Sequence, residues 1–93
     1  MTFDWDPRKA RSNLKKHRVE FDEAASVFLD PLATTYPDPA DLSDERREIT
    51  IGYTIKGNLI FVSHCERRVR IRIISARPAT RAEREQYEER IDS

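Results

Sequence analysis

The chain is short of several things that usually announce a function. Of its 93 residues one is cysteine, Cys65, so no internal disulfide can form and a reducing, cytoplasmic setting is expected. That thiol reads as a small buried or half-buried side chain rather than a nucleophile, because only nearby arginines could lower its pKa. Two histidines, the lone cysteine and no zinc-ligand spacing leave a metal site poorly supplied. The acidic stretch with Asp38, Asp41 and Asp44 has neither the spacing nor the glycine of a calcium loop. No apolar run approaches a membrane span and no signal-peptide core follows the start, so no membrane partner is expected. Repeats and low-complexity tracts are missing as well. Net charge is zero, with 17 basic and 17 acidic side chains, and so the total selects no partner.

The distribution of charge says more than its sum. Residues 1–20 carry +3, residues 21–48 carry −6 and residues 49–93 carry +3. Within the last block, residues 66–81 hold six arginines against Glu66 alone. A concentrated basic patch of this kind suits an anionic partner. At this length residues 1–93 are expected to form one domain with a modest core.

The patch is organised by Arg68-Val69-Arg70-Ile71-Arg72-Ile73, which alternates with the period of a half-buried strand. Val69, Ile71 and Ile73 share one face. Arg68, Arg70 and Arg72 share the other, about 7 Å apart. A row of guanidiniums anchored on a core suits RNA phosphates. The competing reading is a solvated sheet face whose arginines pair with local acids.

Around this strand the remaining pattern is α+β. Residues 2–5 read as a short strand or an extended lead-in. Asp6-Pro7 caps a helix over residues 7–17, since Asp accepts orphan N–H groups and Pro needs no donor there. On that helix Asn13 and His17 extend the face of Ala10 and Leu14, which reads as a hydrogen-bonded seam. A second helix over 21–29 places Phe21, Ala24, Ala25 and Phe28 on one stripe. Residues 32–36 suit a short edge strand, and 37–44 a surface loop. Strands follow over 48–55 and 59–64, with a hairpin at Lys56-Gly57-Asn58 and a turn at Glu66-Arg67.

With even-length loops, Ile49, Ile51, Tyr53 and Ile55 join Ile60, Val62, Val69, Ile71 and Ile73 as one apolar wall. Phe61, Ser63, Arg68, Arg70 and Arg72 collect on the opposite wall. His64 is then core-side, near the end of the sheet; an odd loop or a bulge before Arg68 would set it beside Arg70. Thr80 and Glu83 form a capping box for a last helix over 81–91, whose apolar surface is little more than Ala82, Tyr87 and Ile91.

These residues resemble a known family. They include Phe3-Asp4-Trp5-Asp6-Pro7, Lys9, Asn13, Lys16-His17, then Val19, Phe21 and Ala24. Glu45, Arg47, Ile51-Gly52, His64, the run from Arg70 to Arg77, Glu83 and Tyr87 complete the pattern. It is similar to the BrnT toxins of type II toxin–antitoxin systems over nearly the whole chain, most specifically in Arg72-Ile73-Ile74-Ser75-Ala76-Arg77. The resemblance implies a small RelE-like α+β domain, with an antiparallel sheet of three to four strands, two N-terminal helices and a C-terminal helix. It implies a ribonuclease that arrests growth and is neutralised by a BrnA-like antitoxin with a ribbon-helix-helix region. Operator DNA would be bound only through that antitoxin, repressing the operon, and a dimer of toxin–antitoxin units follows by analogy. Two departures touch the helix junction: Arg18 stands where a Gly commonly follows Lys-His, which speaks against a left-handed helix end, and Glu20 replaces a capping Ser. A third, Glu48, sits where an aromatic is frequent.

For RNA cleavage without a metal or cofactor, a base must take the 2′-hydroxyl proton while cations hold the phosphate. Arg70, Arg72 and Arg77 are the first choices for phosphate contact, and Arg47, Arg68 and Arg81 for further RNA binding. Candidate proton carriers are His64, His17, Lys16, Glu45 and Tyr87, and a mainly electrostatic site is an alternative to all of them. Outside this class stands a binding module without catalysis, associated with RNA or DNA, or a degenerate toxin acting only as co-repressor.

Overall fold

A computed structural model describes residues 1–40 and 46–92. In chain order the elements are β1 (Thr2–Asp4), α1 (Pro7–His17), α2 (Phe21–Ala25) continued by a 3-10 turn (Ser26–Leu29), β2 (Thr34–Pro37), β3 (Arg47–Tyr53), β4 (Leu59–Arg67), β5 (Arg70–Pro78) and α3 (Arg81–Asp92). The strands form one five-stranded sheet in the order β1-β5-β4-β3-β2. It is larger than the expected three to four strands because residues 2–4 pair parallel to β5, on the edge away from β2.

The helices begin where the sequence places their caps. The Asp6 carboxylate accepts from Arg8 N at 2.8 Å, and Pro7 fills the first helical position. Arg18 ends α1 at φ 61°, ψ 28°, its N–H bonded to Leu14 O. The left-handed end is therefore present without glycine, contrary to what the Arg18 departure suggested. Glu20 precedes α2 with no side-chain cap bond. At α3 the capping box is complete: Thr80 Oγ1 accepts from Glu83 N at 3.1 Å, and Glu83 accepts from Thr80 N at 2.9 Å.

Register decides which side chains share a face, and here the expected single apolar wall divides in two. Tyr53 pairs with Leu59, so five residues close the β3–β4 hairpin, and Ile51 faces Phe61 rather than Ile60 or Val62. One face carries Ile60, Val62, Ile73 and Ala76, packed with Val19, Phe21, Ala24 and Val27 under α1 and α2. The other carries Ile51, Leu59, Tyr53 and Phe61, packed with Tyr87 of α3. The sheet is thus covered by helices on both sides, with α3 reaching over only part of its face.

Two irregularities shape β5. Between Ser63 and His64 the β4–β5 register shifts: Ser63 pairs with Ser75 but His64 with Ile73, which leaves Ile74 as the extra residue of a bulge. The β4–β5 turn lies at Arg68 and Val69, not at Glu66-Arg67, since Arg67 pairs directly with Arg70. Arg68 takes φ 55° there and Val69 is 85 % exposed, so neither belongs to the strand and Val69 joins no core. Such two-residue turns need positive φ to match the strand twist. Where β1 has ended, Asn13 replaces a strand partner: its amide donates to Ala76 O at 2.9 Å and accepts from Ala76 N at 3.0 Å. It also donates to Val19 O at 3.0 Å, tying α1 to the chain that follows it.

Candidate functional site

Alternation from the Arg68-Val69 turn sends Arg70 and Arg72 to the face that α3 leaves uncovered. Their cross-strand neighbours extend the group, because directly opposed residues share a face. Arg67 lies opposite Arg70, Cys65 opposite Arg72, and Arg47 opposite Cys65 one strand further on. On the other side β1 contributes Asp4, in register with Arg72. Phe3 points through to the core, stacked on Phe28 with ring centroids 5.2 Å apart, which turns Asp4 outward.

Asp4 is the acid of this group. Its Oδ1 lies 3.3 Å from Arg72 Nε, and its Oδ2 lies 3.8 Å from Arg70 Nη1. Oδ1 and Arg72 Nε are both buried, and the pair is misaligned for a hydrogen bond, so proximity and charge hold it. Among the described residues one carboxylate lies between the two guanidiniums, which leaves the pair with surplus positive charge. The Arg70 side chain is 60 % exposed and that of Arg72 32 %.

The remaining candidates separate from this group. Arg77 shares the face but is engaged elsewhere: it donates to Glu83 through both Nη atoms, at 2.8 and 2.9 Å, and lies 4.4 Å from the centre of the Phe61 ring. That bidentate bond, first among the causes, holds the Glu83 carboxyl at about 2. Arg81 pairs with Glu85 at 3.2 Å at the same distant end. Arg68 occupies the turn rather than the arginine row. Lys16 and His17 sit on α1, in the layer across the sheet. Glu45 lies outside the described residues.

His64 and Tyr87 are occupied inside the protein. The His64 ring is 3 % exposed on the core face, edge-on to Phe28 at 5.0 Å. Its Nε2 is 2.7 Å from Thr50 Oγ1, which in turn lies 2.6 Å from Thr35 Oγ1. The buried Nδ1 has no hydrogen-bond partner, an arrangement best met by a neutral ring that keeps its proton on Nε2. Burial lowers its pKa from 6.5 to about 4. Tyr87 is buried against Tyr53 and donates to Leu32 O at 2.8 Å, and burial raises its phenol above the usual tyrosine range. Neither side chain is open to solvent beside Arg70 and Arg72. Among the described residues no three metal-ligating side chains gather, and no helix is long and apolar enough to cross a membrane.

Asp4 is the site residue that sequence reasoning missed. The apolar–polar–apolar order of Phe3-Asp4-Trp5 shows that it faces away from the aromatic anchors. The parallel pairing that sets it beside Arg72 joins residues nearly seventy positions apart, and no local pattern encodes it.

Comparison with known proteins agrees with this architecture. A family model described as the ribonuclease toxin BrnT of type II toxin–antitoxin systems matches residues 5–83. The crystal structure of the Brucella abortus ribonuclease toxin BrnT superposes with a TM-score of 0.69 at 25% identity, covering 87% of this chain and 99% of that one. No curated protein matches the chain.

Proposed function

Because this chain belongs to the BrnT family of ribonuclease toxins, we propose that residues 1–93 act as one toxin domain that cleaves RNA on the face carrying Arg70 and Arg72. The observation that carries this reading is that these two guanidiniums, mounted on adjacent same-face positions of an inner strand, share a single carboxylate among the described residues. Their spacing of about 7 Å matches that of successive phosphates closely enough for one to be gripped while the next is steered. Arg70 and Arg72 hold the phosphodiester, and Arg47 and Arg67 extend the basic track across β3 and β4. Arg68, at the exposed turn, guides the strand end. Arg77 and Arg81 act at the α3 end, Arg77 mainly by holding Glu83.

The reaction is a metal-independent transesterification: the 2′-oxygen attacks phosphorus, leaving a 2′,3′-cyclic phosphate and a 5′-hydroxyl. Electrostatic support of the charged phosphorane is the main contribution of the arginines. In the cell this activity arrests growth. The neutralising partner is a BrnA-like antitoxin with a ribbon-helix-helix region, which carries the complex to operator DNA and represses the operon. Two such units dimerise through the antitoxin. The work is cytoplasmic.

A binding module without catalysis gains one specific support: His64 and Tyr87 are buried, and Lys16 and His17 belong to the opposite layer. Cleavage of a mixed-sequence single-stranded RNA separates the readings. The toxin reading expects 2′,3′-cyclic phosphate ends in buffer containing a chelator, lost in Arg72→Ala. Salt-sensitive RNA binding with no cut ends would establish the binding module instead. A neighbouring reading frame that encodes a ribbon-helix-helix protein, and whose expression relieves growth arrest, tests the partner.

A further inference from the structure

We propose that Asp4 is the general base of the cleavage, taking the 2′-hydroxyl proton through its outward oxygen. The inference rests on the arginine face being the site, and adds to it a proton acceptor.

Three observations converge on Asp4. Asp4 is flanked by two partly buried aromatic contacts, Phe3 on Phe28 and Trp5 on Phe21, with centroids 5.2 and 5.8 Å apart. The carboxylate is therefore held on a rigid element rather than a loop. Its two oxygens are also in different surroundings. Oδ1 is buried beside Arg72 Nε, whereas Oδ2 lies 3.8 Å from Arg70 Nη1, beyond hydrogen-bond distance, and keeps its lone pairs for a substrate. Finally, four of the five other proton-carrier candidates are elsewhere: His64 and Tyr87 are buried, and Lys16 and His17 lie across the sheet, while Glu45 lies outside the described residues. Asp4 is the carboxylate within reach of a phosphate seated on Arg70 and Arg72 among the described residues.

A phosphate bonded to the Nη edges of the two arginines places its ribose 2′-oxygen a few ångströms away, about the distance that separates Oδ2 from Arg70 Nη1. The proton of the 2′-hydroxyl passes to Asp4 Oδ2 as the 2′-oxygen forms its bond to phosphorus. The bond from phosphorus to the 5′-oxygen breaks, and that oxygen takes a proton from water. Asp4 then returns its proton to solvent. Among the described residues, the charged groups facing Asp4 are Arg70 and Arg72 of β5, with Arg67 of β4 one strand beyond and the buried Cys65 thiol opposite Arg72; its own strand adds none on that side.

Asp4→Asn tests the assignment, since the amide keeps the shape of the side chain and an oxygen beside Arg72 but no longer takes a proton. Turnover of single-stranded RNA should fall about 10²- to 10³-fold. Binding of a non-cleavable 2′-deoxy oligonucleotide should hold or tighten, because a negative charge has gone. A fall in rate toward acid pH, expected of the natural protein, should disappear in this variant. Asp4→Glu should recover part of the turnover.

Turnover within threefold of the natural protein, an unchanged acid limb, or loss of oligonucleotide binding in step with turnover would each overturn the proposal. Thermal melting checks folding, and should the asparagine variant unfold, Asp4→Ser read by the same assays decides. If Arg70→Ala and Arg72→Ala cleave like the natural protein, the site reading itself fails. If they lose cleavage while Asp4→Asn does not, only the role of Asp4 falls.

Discussion

At one end of β5, Arg72 shares Asp4 with Arg70 through contacts of 3.3 and 3.8 Å; at the other, Arg77 grips Glu83 through two bonds of 2.8 and 2.9 Å over an aromatic ring. Both arginines sit on the same strand and face, and in the sequence they look equivalent. The difference is in what each could give up. Arg77 closes a tight pair that joins β5 to the start of α3, so moving it loosens the fold. Arg72 has an off-line contact with a shared acid, so an incoming phosphate displaces little. Even the common face has a structural cause. Plain alternation from Arg72 would send Arg77 to the core side, and the extra residue at Ile74 returns it opposite Phe61.

The sharpest way to break this comparison is to exchange the losses. Arg72→Ala should cut RNA turnover by roughly 10²- to 10³-fold, the usual effect of removing one charge-stabilising donor, with the melting temperature nearly unchanged. Steady-state cleavage beside a thermal melt reads both. Full activity in that variant would show that the shared-carboxylate pair is no more functional than its neighbour at the α3 end.

The opposite face supplies the next test, since His64 there is held as firmly as Arg77 but through burial rather than charge. Its pKa is lowered from 6.5 to about 4, so the unfolded chain binds a proton that the folded one refuses between those values. This contribution is fully present above pH 6.5 and is lost as pH falls through 4. At about 1.4 kcal/mol per unit the loss approaches about 3 kcal/mol. Urea denaturation of the natural protein and of His64→Phe across that window should show the loss only in the former. A cleavage optimum that vanished specifically in His64→Phe, with folding intact, would instead move His64 back among the proton carriers.

A smaller effect is expected at Arg77. Arg77→Ala removes a half-exposed ion pair and a cation–π contact, together about 1–2 kcal/mol after screening, and turnover per folded molecule should change less than threefold. The pair also has a pH signature. Glu83 is held at about 2 against an ordinary 4.5, so its stabilisation is complete above 4.5 and disappears as pH falls through 2. In chemical denaturation the gap between the natural protein and Arg77→Ala should be narrower at pH 3 than at pH 6. A variant that stays stable but stops cutting would mean that Arg77 touches RNA.

Much of this contrast could be read from residue order, and its limits are physical. Ile71 and Ile73 against Arg70 and Arg72 gave the two faces of β5, and His64 follows Ile60 and Val62 inward by the same period. Asp6-Pro7 and Thr80 with Glu83 marked helix starts because capping chemistry is local. The parity of the connection after Tyr53 was not legible, since Lys56-Gly57-Asn58 marks a turn without stating that five residues close it. Nor was the turn at Arg68-Val69, where an arginine adopts a positive φ that glycine or asparagine would have signalled. The contribution of β1, and with it the Asp4–Arg72 pair, depends on a pairing across most of the chain.

Arg18 extends the comparison to arginines whose charge does little for the fold. It ends α1 in the left-handed region at φ 61°, a conformation that costs an L residue roughly 1–2 kcal/mol and glycine almost nothing. Its N–H, not its guanidinium, makes the bond to Leu14 O. Arg18→Gly should therefore raise stability by about 1 kcal/mol, reduced somewhat by the greater freedom of the unfolded chain. A shift of the urea midpoint to higher concentration, with an unchanged slope and unchanged cleavage, is the expected reading. Arg68 has the same backbone strain at φ 55°, but its side chain stands at the turn beside the arginine row. Arg68→Gly should gain similar stability while weakening RNA binding and its salt dependence. If both substitutions left RNA binding untouched, the basic track would end at Arg70, and the turn would be mere geometry.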